Sequence, residues 1–174
     1  MSDQATLAQS IRYSIELTTR YLEGFDESSR TAQAPTLPNH PVWILGHCGY
    51  TMARVAKVFD AALIDADAYI EGARSNPDAF TIESISFWSA PSDDPSQYPT
   101  LARARDIFEQ SGQRLAHAIE SATAAQLNSE IPWGKANAPI GMRDLIVRLV
   151  FHNGTHAGQL TDLRRALKLE RVLG

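Results

Sequence analysis

Four stretches of this chain repeat apolar residues every three to four positions, and no stretch shows the strict apolar–polar alternation of a half-buried strand. The last stretch is the most constraining. From about Met142 to Leu169, the residues Leu145, Leu149, His152, His156, Gln159 and Leu163 follow at spacings of 4, 3, 4, 3 and 4, which places all six on one face of an α-helix. A first helix is expected from Thr6 to Glu23 on the stripe Leu7, Ile11, Ile15 and Leu22, with Gly24 as its stop. A second is expected from Asn39-His40-Pro41 to about Ala66 on Ile44, His47, Thr51, Val55, Val58 and Ala62. Asn39 is read as its cap, and Pro41 suits its first turn, where a missing N–H costs nothing. A third is expected from Thr100 to Ala125 on Leu101, Ala104, Phe108, Leu115, Ile119 and Ala122.

Between these lie polar, proline-bearing connections at 25–39, 70–100 and 128–141. The middle one is long for a compact domain, and such loops commonly serve a site. Four amphipathic helices without strands predict an all-α chain, a four-helix bundle in one domain over residues 1–174. The long connection between the second and third helices allows a crossover.

The 174 residues carry 16 Lys and Arg against 20 Asp and Glu, a formal net charge of −4. That balance argues against nucleic acid as a partner, which calls for a basic excess. No apolar run approaches the ~18 residues of a membrane span, and Met1-Ser2-Asp3-Gln4 does not open like a secretory signal. The one cysteine, Cys48, excludes an intramolecular disulfide framework and suits a cytoplasmic location.

Chemistry concentrates on histidine. His152 and His156 are four apart on the inward stripe of the last helix, so two imidazole nitrogens can converge on one ion. His47 holds the matching inward position of the second helix. Three such ligands would leave coordination positions open, the mark of a reactive site. The competing reading is three separate core histidines, each bonded to a hydroxyl or carbonyl. All-nitrogen ligation suits Zn, Ni, Cu or Fe alike. The spacing is not that of the zinc proteases, whose first histidine is followed by a glutamate base; here that position is Asn153. The Glu-x-x-His pairs of di-iron bundles are also missing.

The run Asn39-His40-Pro41-Val42-Trp43-Ile44-Leu45-Gly46-His47 and the run His152-Asn153-Gly154-Thr155-His156-Ala157-Gly158-Gln159-Leu160, followed by Leu163-Arg164-Arg165, resemble the two ligand segments of the DinB-like (YfiT-type) proteins. The resemblance implies a four-helix bundle holding one divalent ion, zinc or nickel first, on His47, His152 and His156. It also implies a low-molecular-weight thiol cosubstrate, a small-molecule electrophile, and a homodimer.

The function expected is thiol S-transfer or thiol-assisted isomerisation through a metal-bound thiolate. The alternatives are a metal-dependent hydrolase using bound water, and a non-catalytic metal-binding stress or interaction protein. Gln159 and Trp43 are expected beside the site. Cys48 reads as a packed thiol, His40 and His117 as solvated, and Lys135 and Arg143 as surface charge. Trp88 and Trp133, with Trp43, read either as a pocket mouth or as half-buried packing. Gly154 and Gly158 cost helix propensity, about 1 kcal/mol each against Ala. They are expected to allow a neighbouring helix to approach, to leave room beside a metal, or simply to pack.

Overall fold

A computed structural model describes residues 2–61 and 79–172. The chain is mostly helical. Its elements are α1 (Asp3–Tyr21), α2 (Pro41–Phe59), a one-turn α3 (Ile82–Ile85), a 3₁₀ turn (Pro95–Gln97), α4 (Leu101–Glu120), a one-turn α5 (Ala124–Leu127), strands β1 (Glu130–Trp133) and β2 (Ala138–Gly141), and α6 (Met142–Ala166). No helix among the described residues is long and apolar enough to cross a membrane.

Every described α-helix except α6, which follows Gly141, starts where a side chain takes up a free backbone N–H. Ser2 caps α1 and Thr100 caps α4, and Thr123 and Gln126 form a reciprocal capping box on α5. At α2 the cap is His40, whose Nδ1 accepts from the Trp43 N–H at 3.2 Å, with Pro41 in the first turn. The neighbouring Asn39, expected to cap, is directed elsewhere. His40 is fully buried rather than solvated; its Nε2 bonds the Ser92 carbonyl at 2.9 Å, and burial lowers its pKa to about 4. His117 is exposed, as expected.

Several boundaries differ from the periodic pattern. α2 ends at Phe59 because Asp60 turns extended (φ −132°, ψ 97°), and Val58 of the expected stripe is exposed. Residues 62–66 lie outside the described residues, as does 70–78 of the long connection. α4 stops at Glu120, and the chain restarts as α5. The 128–141 connection is an antiparallel hairpin, not a loop, with Pro132 opposite Pro139. A two-stranded ribbon tolerates proline because each strand has a free edge. α6 ends at Ala166, and Lys168 follows at φ 59°.

α1 packs on α4 and α6, and α2 packs on the same two helices. Side-chain bonds fix the directions. Thr19–Glu109 and Arg12–Glu120 set α1 antiparallel to α4, while Asp3–Arg143 and Ser14–Asn153 set α1 parallel to α6. α2 runs against α6, since Asn39 meets Gln159 and His47 meets His152. In the last turn of α6, Arg164 donates to the Tyr21, Glu23 and Glu170 carbonyls and closes one end of the assembly. Ile11, Ile44, Met52, Phe108, Leu115 and Leu160 fill the space between, each fully buried. Burying such side chains contributes about 1.5–3 kcal/mol apiece.

Candidate metal centre

α2 and α6 meet at the three histidines. His47 is buried at 5% exposure and His156 at 9%, with His152 partly open. Their ring centroids lie 4.7–5.1 Å apart, and one nitrogen from each falls within 4.8 Å of the other two. These three residues can hold a metal ion. No carboxylate or thiol joins the cluster among the described residues.

The far nitrogens of two rings are committed. The His47 Nδ1–H donates to the Ile85 carbonyl at 2.8 Å. The His156 Nδ1–H donates to Gln159 Oε1 at 2.8 Å, and the same oxygen accepts from the Asn39 amide at 2.9 Å. A carbonyl oxygen only accepts, so both rings carry their proton outward and turn a bare Nε2 inward. His47 Nε2 lies 3.0 Å from His152 Nε2. His152 Nδ1 is buried with no partner, and so is Oδ1 of the adjacent Asn153. The Asn153 amide is itself held by Ser14 Oγ at 3.0 Å.

Trp43 lies flat on His47, with centroids 4.6 Å apart and planes 7° from parallel, and its indole N–H donates to Ser89 Oγ at 2.9 Å. Gly46 lets α3 close over His47: a Cβ there would come within 2.6 Å of the Phe80 ring and 2.8 Å of Ile85 Cγ2. Burial lowers the pKa of all three histidines, to about 3 for His152 and about 4 for His156; the neighbouring imidazoles deepen those two shifts. The rings are therefore neutral at pH 7, as ligands must be.

The sequence pattern brings His47, His152, His156, Gln159 and Trp43 to one place, and the structure has them there. It did not reveal Ile85, because a backbone carbonyl leaves no residue-type signal. Asn39 was visible only as a capping residue. Cys48, next to His47, is fully buried away from the cluster, and burial pushes its thiol pKa up. Trp88 is exposed, with Lys135 over its ring at 5.8 Å, and Trp133 is half-buried under Arg54 at 5.0 Å. Arg143 pairs with Asp3 at 2.8 Å. Gly154 and Gly158 face open space among the described residues, where no helix approaches either of them. A surface groove between α1 and α4 contains none of the three histidines.

The three histidines thus sit between two helices of a mostly helical chain, where they could hold a metal ion. Residues 11–160 match the DinB superfamily profile, and the chain belongs to that superfamily. It is also similar to a solved structure, a conserved protein from Enterococcus faecalis, with a TM-score of 0.73 at 13% identity over 97% of this chain and 98% of that one; that likeness speaks for the fold. No curated protein matches the chain.

Proposed function

We propose that the chain is a mononuclear-metal enzyme, folded as a DinB-type four-helix bundle, that carries out thiol S-transfer or thiol-assisted isomerisation. His47, His152 and His156 would hold a divalent ion, zinc or nickel, through Nε2. One observation carries the ion: the outward bonds of His47 and His156 leave two bare nitrogens facing a third imidazole. Lone pairs so placed repel unless a proton or cation lies among them. When bound, the ion would supply the charge that lowers the pKa of a guest thiol and yields thiolate at neutral pH.

The chain's own residues set that geometry. Ile85 and Trp43 fix the His47 ring, and Gln159, steadied by Asn39, fixes His156. With all three Nε2 lone pairs inward, His152 keeps its proton on Nδ1, and the unpaired Asn153 Oδ1 is its nearest acceptor by sequence. Such outer partners typically set ring orientation and basicity. Among the described residues no carboxylate or thiol joins the cluster, so ionisation of a guest would rest on the ion's charge, and a thiol, with a reference pKa of about 8.5, needs a smaller shift than water. Cys48 is sealed in the core, so the thiol is a small cosubstrate. The cytoplasm is the proposed location.

The test is cobalt substitution followed by addition of glutathione or cysteine. A sulfur-to-cobalt charge-transfer band is expected. Full cobalt loading with no band, or ester hydrolysis without any thiol, contradicts the thiol reading.

A further inference from the structure

The segment that leaves α3 is pinned to the histidine centre at both ends. The Ile85 carbonyl accepts from the His47 Nδ1–H at 2.8 Å, and Ser89 Oγ accepts from the Trp43 indole N–H at 2.9 Å. Between the two pins, Phe87 and Trp88 are 62% and 76% exposed, with ring centroids 4.5 Å apart. Trp88 stands at φ 78°, a left-handed conformation that bulky side chains rarely adopt. Strain of this kind persists where the surroundings over-determine it, and it gathers at ligand clamps.

Two cations border the same rings. Lys135, in the hairpin turn, sets its Nζ 5.8 Å from the Trp88 centroid. Arg54 of α2 sets its guanidinium 5.0 Å from the ring of Trp133, two residues before Lys135, and 5.7 Å from that of Tyr50. Neither cation meets a carboxylate among the described residues. Arg54 follows His47 by seven residues, so it lies on the same face of α2, about 10 Å further along. Contacts thus run from His47 along α2 to Arg54, across to the hairpin at Trp133, from Lys135 to Trp88, and back through Ile85 to His47. The circuit begins and ends at a histidine of the centre and therefore borders it.

We infer that this rim is the subsite for the electrophile, and that it takes a small organic anion with a flat, unsaturated body. Arg54 and Lys135 take the carboxylate, in charge-assisted hydrogen bonds. Phe87 and Trp88 take the flat body on their open rings. The Tyr50 and Trp133 rings hold the Arg54 side chain in place beforehand, which lowers the entropy lost on binding. Giving the anion to the electrophile rests on the thiol-transfer reading. Glutathione and cysteine also carry carboxylates, but neither has a flat body for the two rings.

The test is an NMR titration of the full chain, followed at the indole N–H signals, with benzoate as the flat anion. Benzoate is expected to shift the Trp88 and Trp133 signals. It should bind more tightly than cyclohexanecarboxylate, which lacks the flat face, and about 10-fold or more tightly than benzamide, which lacks the charge. Arg54→Gln should weaken benzoate by a similar factor with zinc content unchanged. Trp88→Gly suits the positive φ, so the segment keeps its shape while benzoate binding weakens several-fold. Benzoate should still bind the zinc-free chain, because side chains make the subsite. None of these readouts involves a thiol, so they stand or fall apart from the thiol reading. Glutathione affinity of the zinc-loaded chain should be the same in Arg54→Gln as in the wild type. No shift with benzoate, equal affinity for benzamide, unchanged benzoate affinity in Arg54→Gln, or binding that needs zinc would each overturn the inference. A loss of glutathione affinity in Arg54→Gln would overturn it too, by giving the cation to the thiol.

Discussion

Gly46→Ala tests the link between packing and the metal centre. The new Cβ would lie 2.6 and 2.8 Å from two carbons of the Phe80 ring and 2.8 Å from Ile85 Cγ2. Phe80 is 1% exposed and Ile85 is fully buried, so neither has free space to move into. Overpacking of this kind costs about 1–3 kcal/mol. The gain in helix propensity offsets about 1 kcal/mol. The net loss is then roughly 0–2 kcal/mol, or a fall in Tm of up to about 8 °C for a domain of this size.

The larger effect falls on the metal. Moving Ile85 moves the carbonyl that holds the His47 Nδ1–H at 2.8 Å, and losing such an outer contact costs about 10–100-fold in metal affinity. Gly112→Ala is the control: its Cβ would strike Ile15 of α1, on another face of the core. Thermal unfolding of the apo protein and chelator competition for zinc give both quantities. Gly112→Ala should lose stability and keep its affinity, whereas Gly46→Ala should lose affinity beyond anything its stability explains. Equal affinity in the two variants would refute the coupling through Ile85.

Three other outcomes are expected. Gln159→Leu removes the acceptor for the His156 Nδ1–H and should weaken zinc binding about 10–100-fold with the fold intact, read by the same competition. Without metal, stability should fall as pH drops. The His40 pKa is about 4 in the fold against 6.5 as reference, so the unfolded chain takes up the proton first and the loss runs from about pH 6.5 down to 4. His40 alone accounts for about 3 kcal/mol of it, and a flat urea midpoint from pH 7 to 4.5 would contradict this. Cys48 should react with a thiol reagent only when the chain unfolds; fast labelling of the native protein would be the contrary result.

What could be read from the chain follows from periodicity. A ligand on a helical stripe announces its direction, so His47, His152, His156 and Gln159 were legible, and the four long helices with them. Features without a period were not. The hairpin at Glu130–Gly141 is too short, and too rich in proline and glycine, to alternate. The ends of α2 and α4 depend on single backbone turns at Asp60 and Ser121. The choice of His40 over Asn39 as cap depended on distant partners, Ser92 for one and Gln159 for the other. Gly154 and Gly158 showed their cost in the sequence, but only coordinates could show that no neighbour among the described residues fills the space.

The central claim is a single ion on three imidazoles, and metal stoichiometry of protein purified without an affinity tag tests it most directly. About one zinc or nickel per chain is expected in the wild type, with essentially none in His152→Ala or His156→Ala that retain wild-type helicity. Wild-type metal content in both folded variants, or a wild type that takes up no divalent ion at neutral pH, would contradict the account.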